Sequence, residues 1–478
     1  MEIPRIIDQF IQDISGLPTN QPMDDALEKA MAAEKNLRHL FATDPHNHLL
    51  EDLFIGLVDI FSLDPAIRRT RARTITSKAD LSRNHVFPLE AAFRRANLLP
   101  STVSDINLFR EHWHVFTHGA LSKMTARDWE NVIAAGGSVL ACLTHPNRVV
   151  PAKELNELYQ SENYATSDID LFLWGLSPEE AKIKMENIYQ AICLASYWDV
   201  VCVRKPNVVS IHTGYPNRPV QIILRLYQSP AEILAGFDVD AACCAYNAGQ
   251  TVWVNPRSLT AIIRQSNTID ITRRSPSYEI RLAKYATRGF EVYIPSLRRA
   301  DVNPAIYNRY MATWPNGLAR LLVLERSYET NWHYLYLRYP TVTILQKRHK
   351  EDIGLALSPL DPASDNATAS ASSNYDKGVG IAKIPYGPNW TAKAIRELVS
   401  QRDTKMNCHR HVIFAGTMQE CLESFCRICG SRRPAGFNRD VYIWGPITFM
   451  TVNPGRQLLS GSFRPIEVGE WAAGAYIQ

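Results

Sequence analysis

Two short stretches place carboxylates at a spacing that chemistry can use. Residues 167–175 read Ser-Asp-Ile-Asp-Leu-Phe-Leu-Trp-Gly. As a strand, this run puts Asp168 and Asp170 on one face and Ile169, Leu171 and Leu173 on the other. Aspartate is depleted in strands, and two neighbouring carboxylates repel, so the pair calls for a counter-charge. Mg2+ or Mn2+ would supply it, because hard divalent cations take carboxylate oxygens. The alternative is an exposed turn ahead of an ordinary strand. Further on, Phe237-Asp238-Val239-Asp240 opens the apolar run Ala-Ala-Cys-Cys-Ala-Tyr, with both aspartates on one face of an extended chain. A third carboxylate from a neighbouring strand, Asp238 or else Asp240, would complete a metal set of Asp168, Asp170 and Asp238. In such a site one cation activates the attacking oxygen and another steadies a leaving phosphate.

Upstream, Asn131 to Ala135 is a short apolar run closed by Gly136-Gly137-Ser138, and Val-Leu-Ala-Cys-Leu follows as the first turns of a helix. A strand, a glycine turn and a helix start bring free N–H groups and a positive dipole end together, which suits a phosphate. Glycine also serves such turns for backbone shape alone. A basic helix is expected over residues 272–290. There Arg274, Tyr278, Arg281 and Tyr285 fall along one face, with Arg281, Lys284 and Arg288 as a second basic edge. The bland reading is a solvated face. The sharper one is a clamp on a triphosphate or an acceptor backbone, with Arg274, Tyr278, Arg281 and Lys284 joining Gly136, Gly137 and Ser138 as nucleotide contacts.

Other clusters point away from chemistry. Cys426 and Cys429 have zinc-like spacing, but Cys408-His409 is an adjacent pair and Cys421 stands alone, so buried or free thiols are expected rather than zinc. His112, His114 and His118 surround Trp113 and Phe116 without the glutamate of a His-Glu-x-x-His site, which indicates packing or hydrogen bonding.

The elements that must position these residues follow from pattern. Ser177-Pro178-Glu179-Glu180 is a capping box with proline at the first helical position, and Met185, Ile188, Ile192 and Ala195 continue on one face. The acidic strand therefore runs straight into a helix, as an α/β core requires. Residues 201–203 and 208–212 flank Arg204-Lys205-Pro206-Asn207 as a hairpin, and Gln221 to Tyr227 forms a further strand. Residues 1–125 read as a helical region with an extended basic arm near residues 66–88. Residues 126–349 read as the core with the basic helix. Residues 350–380 read as a disordered loop poor in large apolar side chains, and 381–478 as a β-rich segment packing on the core. The fold class is thus α+β with a mixed sheet. At 478 residues, 46% hydrophobic and 21% charged, the chain has ample material for a large core, and a net charge of +4 does not by itself imply a polyanion partner. No run is long and apolar enough to cross a membrane. No secretory leader is visible, and five of the nine cysteines lie in apolar runs, so an intracellular, cytoplasmic or nuclear setting is expected.

The order glycine turn, Asp-x-Asp strand, later acidic residue resembles the DNA polymerase β-like nucleotidyltransferase superfamily over roughly residues 126–245. The resemblance implies that Gly137 and Ser138 contact nucleotide phosphates, that Asp168 and Asp170 bind metal, and that Asp238 supplies the third carboxylate. It implies a nucleoside triphosphate as substrate and an acceptor that could be RNA, protein or a small molecule. A non-catalytic binding protein on a degenerate version of the fold is the alternative. One departure is the 30-position gap between Ser138 and Asp168, which an inserted loop or helix must fill. At larger scale, AGGSVLACL, SDIDLFLWGL, RRSPSYEIRLAKYATRGF and PGRQLLSGSFRP resemble an uncharacterised group of intracellular nucleotidyltransferase-like proteins, some of them ankyrin-linked.

Overall fold

Local signals set most of the elements around the acidic strand. In the computed structural model, which describes residues 3–18, 21, 23–144, 149–165, 167–249, 251–275, 277–307, 316–329, 384–406, 413–423, 447, 449 and 471–476, the fold is mixed α+β. The strands are β1 (Val58–Asp59), β2 (His85–Val86), β3 (Val132–Ala135), β4 (Ile169–Trp174), β5 (Val201–Lys205), β6 (Val208–His212), β7 (Val220–Tyr227), β8 (Cys244–Tyr246), β9 (Val252–Val254), β10 (Ser266–Thr268), β11 (Glu291–Tyr293) and β12 (Phe414–Gly416). The main sheet runs β1-β9-β8-β3-β4-β7-β6-β5-β12, and a small one runs β10-β11-β2. Both sheets are mixed: β4 lies parallel to β7 and antiparallel to β3, and β10 lies parallel to β11.

Both faces of the main sheet are covered. Val132 and Ala134 of β3 join the large core, while Ile133 and Ala135 join a second cluster with Phe172, Tyr227 and Leu234. The amino-terminal helices α1 (Ile3–Gly16) and α2 (Asp24–Thr43) are part of this architecture, for Ile7, Phe10 and Ile14 pack into the large core and β1 pairs with β9. In the basic arm, Arg68 is buried against the Val103 and Ser104 carbonyls, Arg71 reaches the Ile14 carbonyl, and Arg73 pairs with Glu291. These arginines fasten the arm to the body.

Ten further α-helices precede residue 384 among the described residues. These are α3 (Lys78–Ser82), α4 (Ile106–Thr117), α5 (Ala126–Trp129), α6 (Gly137–Thr144), α7 (Ala152–Gln160), α8 (Pro178–Ala195), α9 (Pro230–Ala235), α10 (Pro256–Arg264), α11 (Tyr278–Ala286) and α12 (Gly317–Glu329). The Ser177–Glu180 capping box starts α8 as its sequence demands, and Met185, Ile188 and Ile192 are buried. The hairpin forms with Val201 opposite His212. The gap after Ser138 is filled by α7, whose Leu155 and Tyr159 are buried. Where the pattern suggested a β-rich carboxyl-terminal segment, the described residues are mostly helical: a helix over Ala392–Met406, a short one over Met418–Leu422, and β12, which adds to the sheet beside β5. Residues 350–380, most of the strand pair expected near residue 445, and Cys408, His409, His411, Cys426 and Cys429 lie outside the described residues. Cys421 is buried and free, as are Cys142, Cys202, Cys243 and Cys244. Among the described residues, no helix is long and apolar enough to cross a membrane.

Candidate active site

The strand register brings the glycine turn and the acidic pair together. Ala135, the last residue of β3, pairs with Asp170 on β4, so Gly136 and Gly137 leave the sheet beside that carboxylate. Gly136 has a φ of +90°, which favours glycine, and its N–H donates to the Cys244 carbonyl at 2.9 Å. Helix α6 starts at Gly137, leaving its first N–H groups without intrahelical partners. Ser138 is buried, and its hydroxyl finds no partner among the described residues.

Asp170 is half-buried and held at an unusual protonation balance. Burial, then the neighbouring Asp168, push its carboxyl from an ordinary 3.8 up to about 7, against the pull of Lys284 and Arg281. The alternation expected of the strand holds, since Ile169, Leu171 and Leu173 are buried while Asp168 and Asp170 are partly open. The segment entering β4 is tightly strapped. Arg218, without exposed surface, donates to the carbonyls of Phe116, Tyr159, Tyr164, Ala165 and Ser167. Arg288 donates to the Asn163 carbonyl and, at 2.6 Å, to the Ser167 hydroxyl.

Helix α11 closes the site. It brings Arg281 and Lys284 near Asp170 and Tyr285 against Gly137, with Arg288 just beyond its end. A Cβ on Gly137 would stand 2.9 Å from the Tyr285 hydroxyl and 3.2 Å from Arg288 Nη1. That Nη1 is buried and unpartnered among the described residues. Tyr285 and Arg288 were visible on the basic helix but not among the expected nucleotide contacts.

Two of those expected contacts face elsewhere. Arg274 precedes the helix and pairs with the buried Glu279 at 2.5 Å. Tyr278 has no exposed surface, and its hydroxyl accepts the Asp270 N–H at 3.1 Å. The expected helix begins later than its periodicity suggested, because residues 271–273 form a separate turn and Ser277 is the N-cap.

The third carboxylate also differs from expectation. Asp238 lies in a bend ahead of a short 3-10 turn (Asp240–Ala242), not on a strand. It accepts from Arg281 and, at 2.7 Å, from the Ser275 hydroxyl. Arg281 thus stands as the shared neighbour of Asp238 and Asp170. Asp240 is spoken for on both oxygens, by Arg257 at 2.9 Å and by the Thr268 N–H at 2.9 Å. The strand parallel to β4 is β7, and it sets Gln221 opposite Asp170. The sequence signal for this is the amide of Gln221 directly ahead of the apolar run Ile222 to Leu224. Among the described residues, no three His, Cys, Asp or Glu side chains gather to hold a metal. His112 bonds the Cys142 carbonyl and His118 the Gln160 amide.

Residues 107–265 match the family model described as Gabija anti-defense 2 family protein. That span holds the glycine turn, the acidic pair, Gln221 and Asp238, and ends before α11. An uncharacterised protein of Acanthamoeba polyphaga mimivirus is 29% identical over 185 residues, covering 35% of this chain and 37% of that protein. No solved structure matches.

Proposed function

We propose that the chain is a metal-dependent nucleotidyltransferase, acting on a nucleoside triphosphate with Mg2+ or Mn2+. The observation that carries this reading is Asp170: a carboxyl pushed to about 7 beside a second carboxylate, in register with a glycine turn and under a basic helix. The donor set suits Mg2+, which is commonly held by one or two carboxylates together with substrate phosphates. Asp168 and Asp170 would hold it, with the Gln221 amide oxygen across the strand. Bound there, the cation would neutralise developing charge on the transferring phosphoryl group. The N–H groups at Gly137 and Ser138, the Ser138 hydroxyl, Lys284 and Arg288 bind and orient the phosphates. Arg281, shared between Asp238 and Asp170, sets the charge between them.

The second reading is nucleotide binding without transfer, on a degenerate form of the fold. Gln221 opposite Asp170 and the Arg281 pairing of Asp238 favour it, because both remove negative charge that a second cation would need. The matched family's description supports a further element of the proposal: the protein acts against a defence system, inside a cell. Incubation with α-labelled nucleoside triphosphates and Mn2+ separates the two readings. Label moving onto an acceptor, and not in Asp168→Asn/Asp170→Asn, supports transfer. Nucleotide bound with no label transferred to any RNA, protein or small-molecule pool favours the binding protein.

A further inference from the structure

The sheet end that carries the acidic pair continues into a rim of exposed aromatic rings. Because β4 and β7 run parallel and β6 and β5 alternate beside them, Ile169 pairs with Val220, Ile211 with Val220 and Val201 with His212. The chain before β5 and the loop after β6 therefore lie on the same edge as Asp168. Those two segments expose Tyr197 at 100%, Trp198 at 66% and Tyr215 at 41%. They are held there by specific contacts. The Trp198 N–H bonds the Ser196 hydroxyl, and the Trp198 side chain lies against Gly214, where an added Cβ would sit 3.7 Å from its Cγ. Tyr215 packs on Tyr386 with ring centroids 5.3 Å apart, and Tyr386 donates to the Pro216 carbonyl at 2.7 Å. The loop is tied to the acidic strand itself, since the Pro219 carbonyl accepts the Ile169 N–H.

Nothing in the assigned chemistry uses these rings, and exposing them costs apolar surface. They stand at loop tips with open faces, which suits flat ligands that stack one at a time. From β4 to β5 is three strand spacings, about 14 Å at about 4.8 Å each, a span a few nucleotides can bridge. Exposed Arg396 reaches the rim, donating to the Val200 carbonyl, and Asp199 is an exposed carboxylate on the same segment. Opposed charges leave stacking as the main attraction, and aromatic stacking accepts any base.

Resting on the nucleotidyl-transfer reading, we propose that this rim binds the acceptor, and that the acceptor is a single-stranded nucleic acid whose bases stack on Trp198 and Tyr215 with one end at Asp168 and Asp170. The test is fluorescence anisotropy of a short labelled oligouridylate and oligothymidylate. It compares wild type, Trp198→Ala/Tyr215→Ala and Trp198→Phe/Tyr215→Phe, with calorimetric binding of ATP and Mn2+ on the same preparations. The expected result is oligonucleotide binding weakened about tenfold or more in the alanine variant, largely restored in the phenylalanine variant, with a shallow salt dependence and unchanged ATP binding. Equal binding by the alanine variant overturns the proposal. So does wild type that binds neither oligonucleotide, which leaves the rim to a protein partner. Loss of ATP binding in wild type overturns the nucleotidyl reading alone and leaves the stacking result to be judged by itself.

Discussion

Two regions of this protein bury arginines against carboxylates, and they differ in how completely the charges are closed. In the first, Arg257 lies between Glu34 at 2.9 Å and Asp240 at 2.9 Å, Arg273 adds contacts to Glu34 and Asp270, and α2, α10 and the Asp240 turn are locked together. Burial raises the Glu34 carboxyl, but Arg257 and Arg273 outweigh it and hold it below its ordinary range. In the second, at the glycine turn, Asp170 is raised, Ser138 and Arg288 keep buried polar atoms unpartnered among the described residues, and the Tyr285 hydroxyl and Arg288 crowd the place where a Cβ on Gly137 would stand. In the first arrangement each carboxylate faces a guanidinium, although Glu34 Oε2 has no hydrogen-bond partner among the described residues and burial still raises the Asp240 carboxyl. The second joins unmet donors to a pair of neighbouring carboxylates, the pattern that the proposed site requires.

The largest effect should come from breaking the closed region. Arg257→Met leaves two buried carboxylates without their cation and is expected to cost about 3–5 kcal/mol, read as a drop in the urea midpoint. An unchanged midpoint would remove the structural half of the contrast. Next, Gly137→Ala places a methyl against the Tyr285 hydroxyl and Arg288. A stability loss of about 1–3 kcal/mol is expected from overpacking, together with weakened nucleotide binding in calorimetry. Retained affinity would mean that ligand does not depend on the backbone and side chains packed at Gly137.

The sign of pH dependence separates Asp170 from Glu34, whereas Asp240, raised by burial against the pull of Arg257, shares the sign of Asp170. Asp170 has a folded-state value above its unfolded one, so its protonated form favours the fold. The stability it contributes is present below about pH 4 and is lost as pH rises towards 7. Asp170→Asn should therefore stabilise the metal-free protein at pH 8 by on the order of 1–2 kcal/mol after allowance for solvent screening, and hardly at all at pH 4. Glu34, depressed, has the opposite sign: its stabilisation is present above its unfolded value of 4.5 and is lost as pH falls through its folded value. Thermal melts across pH on Asp170→Asn check this, and a variant less stable at pH 8 would contradict it. The smallest effect is expected at Tyr278→Phe, which removes one hydrogen bond worth about 1 kcal/mol and should leave nucleotide affinity unchanged. A large affinity loss would return Tyr278 to the site.

The sequence made local parts of this site legible and left its closing contacts obscure. Alternation around Asp168 and Asp170, the glycines at 136 and 137 and the capping box at Ser177 each act within a few residues, and the structure places all three as their patterns indicate. The basic helix was legible as a helix but not in its bounds, because Arg274 and Tyr278 answer to Glu279 and Asp270 rather than to helical periodicity. The third carboxylate was misplaced for a similar reason. Whether Asp238 meets the acidic pair or a guanidinium depends on Arg281, 43 residues away. That Gln221 rather than an acid stands beside Asp170 depends on β7 entering the sheet between β4 and the hairpin. Arg218, the main fastener of the segment before β4, carried no local sign of its five carbonyl partners.

On the proposed function, Asp168 and Asp170 form an open metal–nucleotide site. Calorimetric titration of ATP with Mn2+ into wild type and into Asp168→Asn/Asp170→Asn tests it most directly. Metal-dependent binding in wild type that disappears in a variant at least as stable is the predicted result. Binding that survives in the variant, or that needs no metal in either protein, would contradict it.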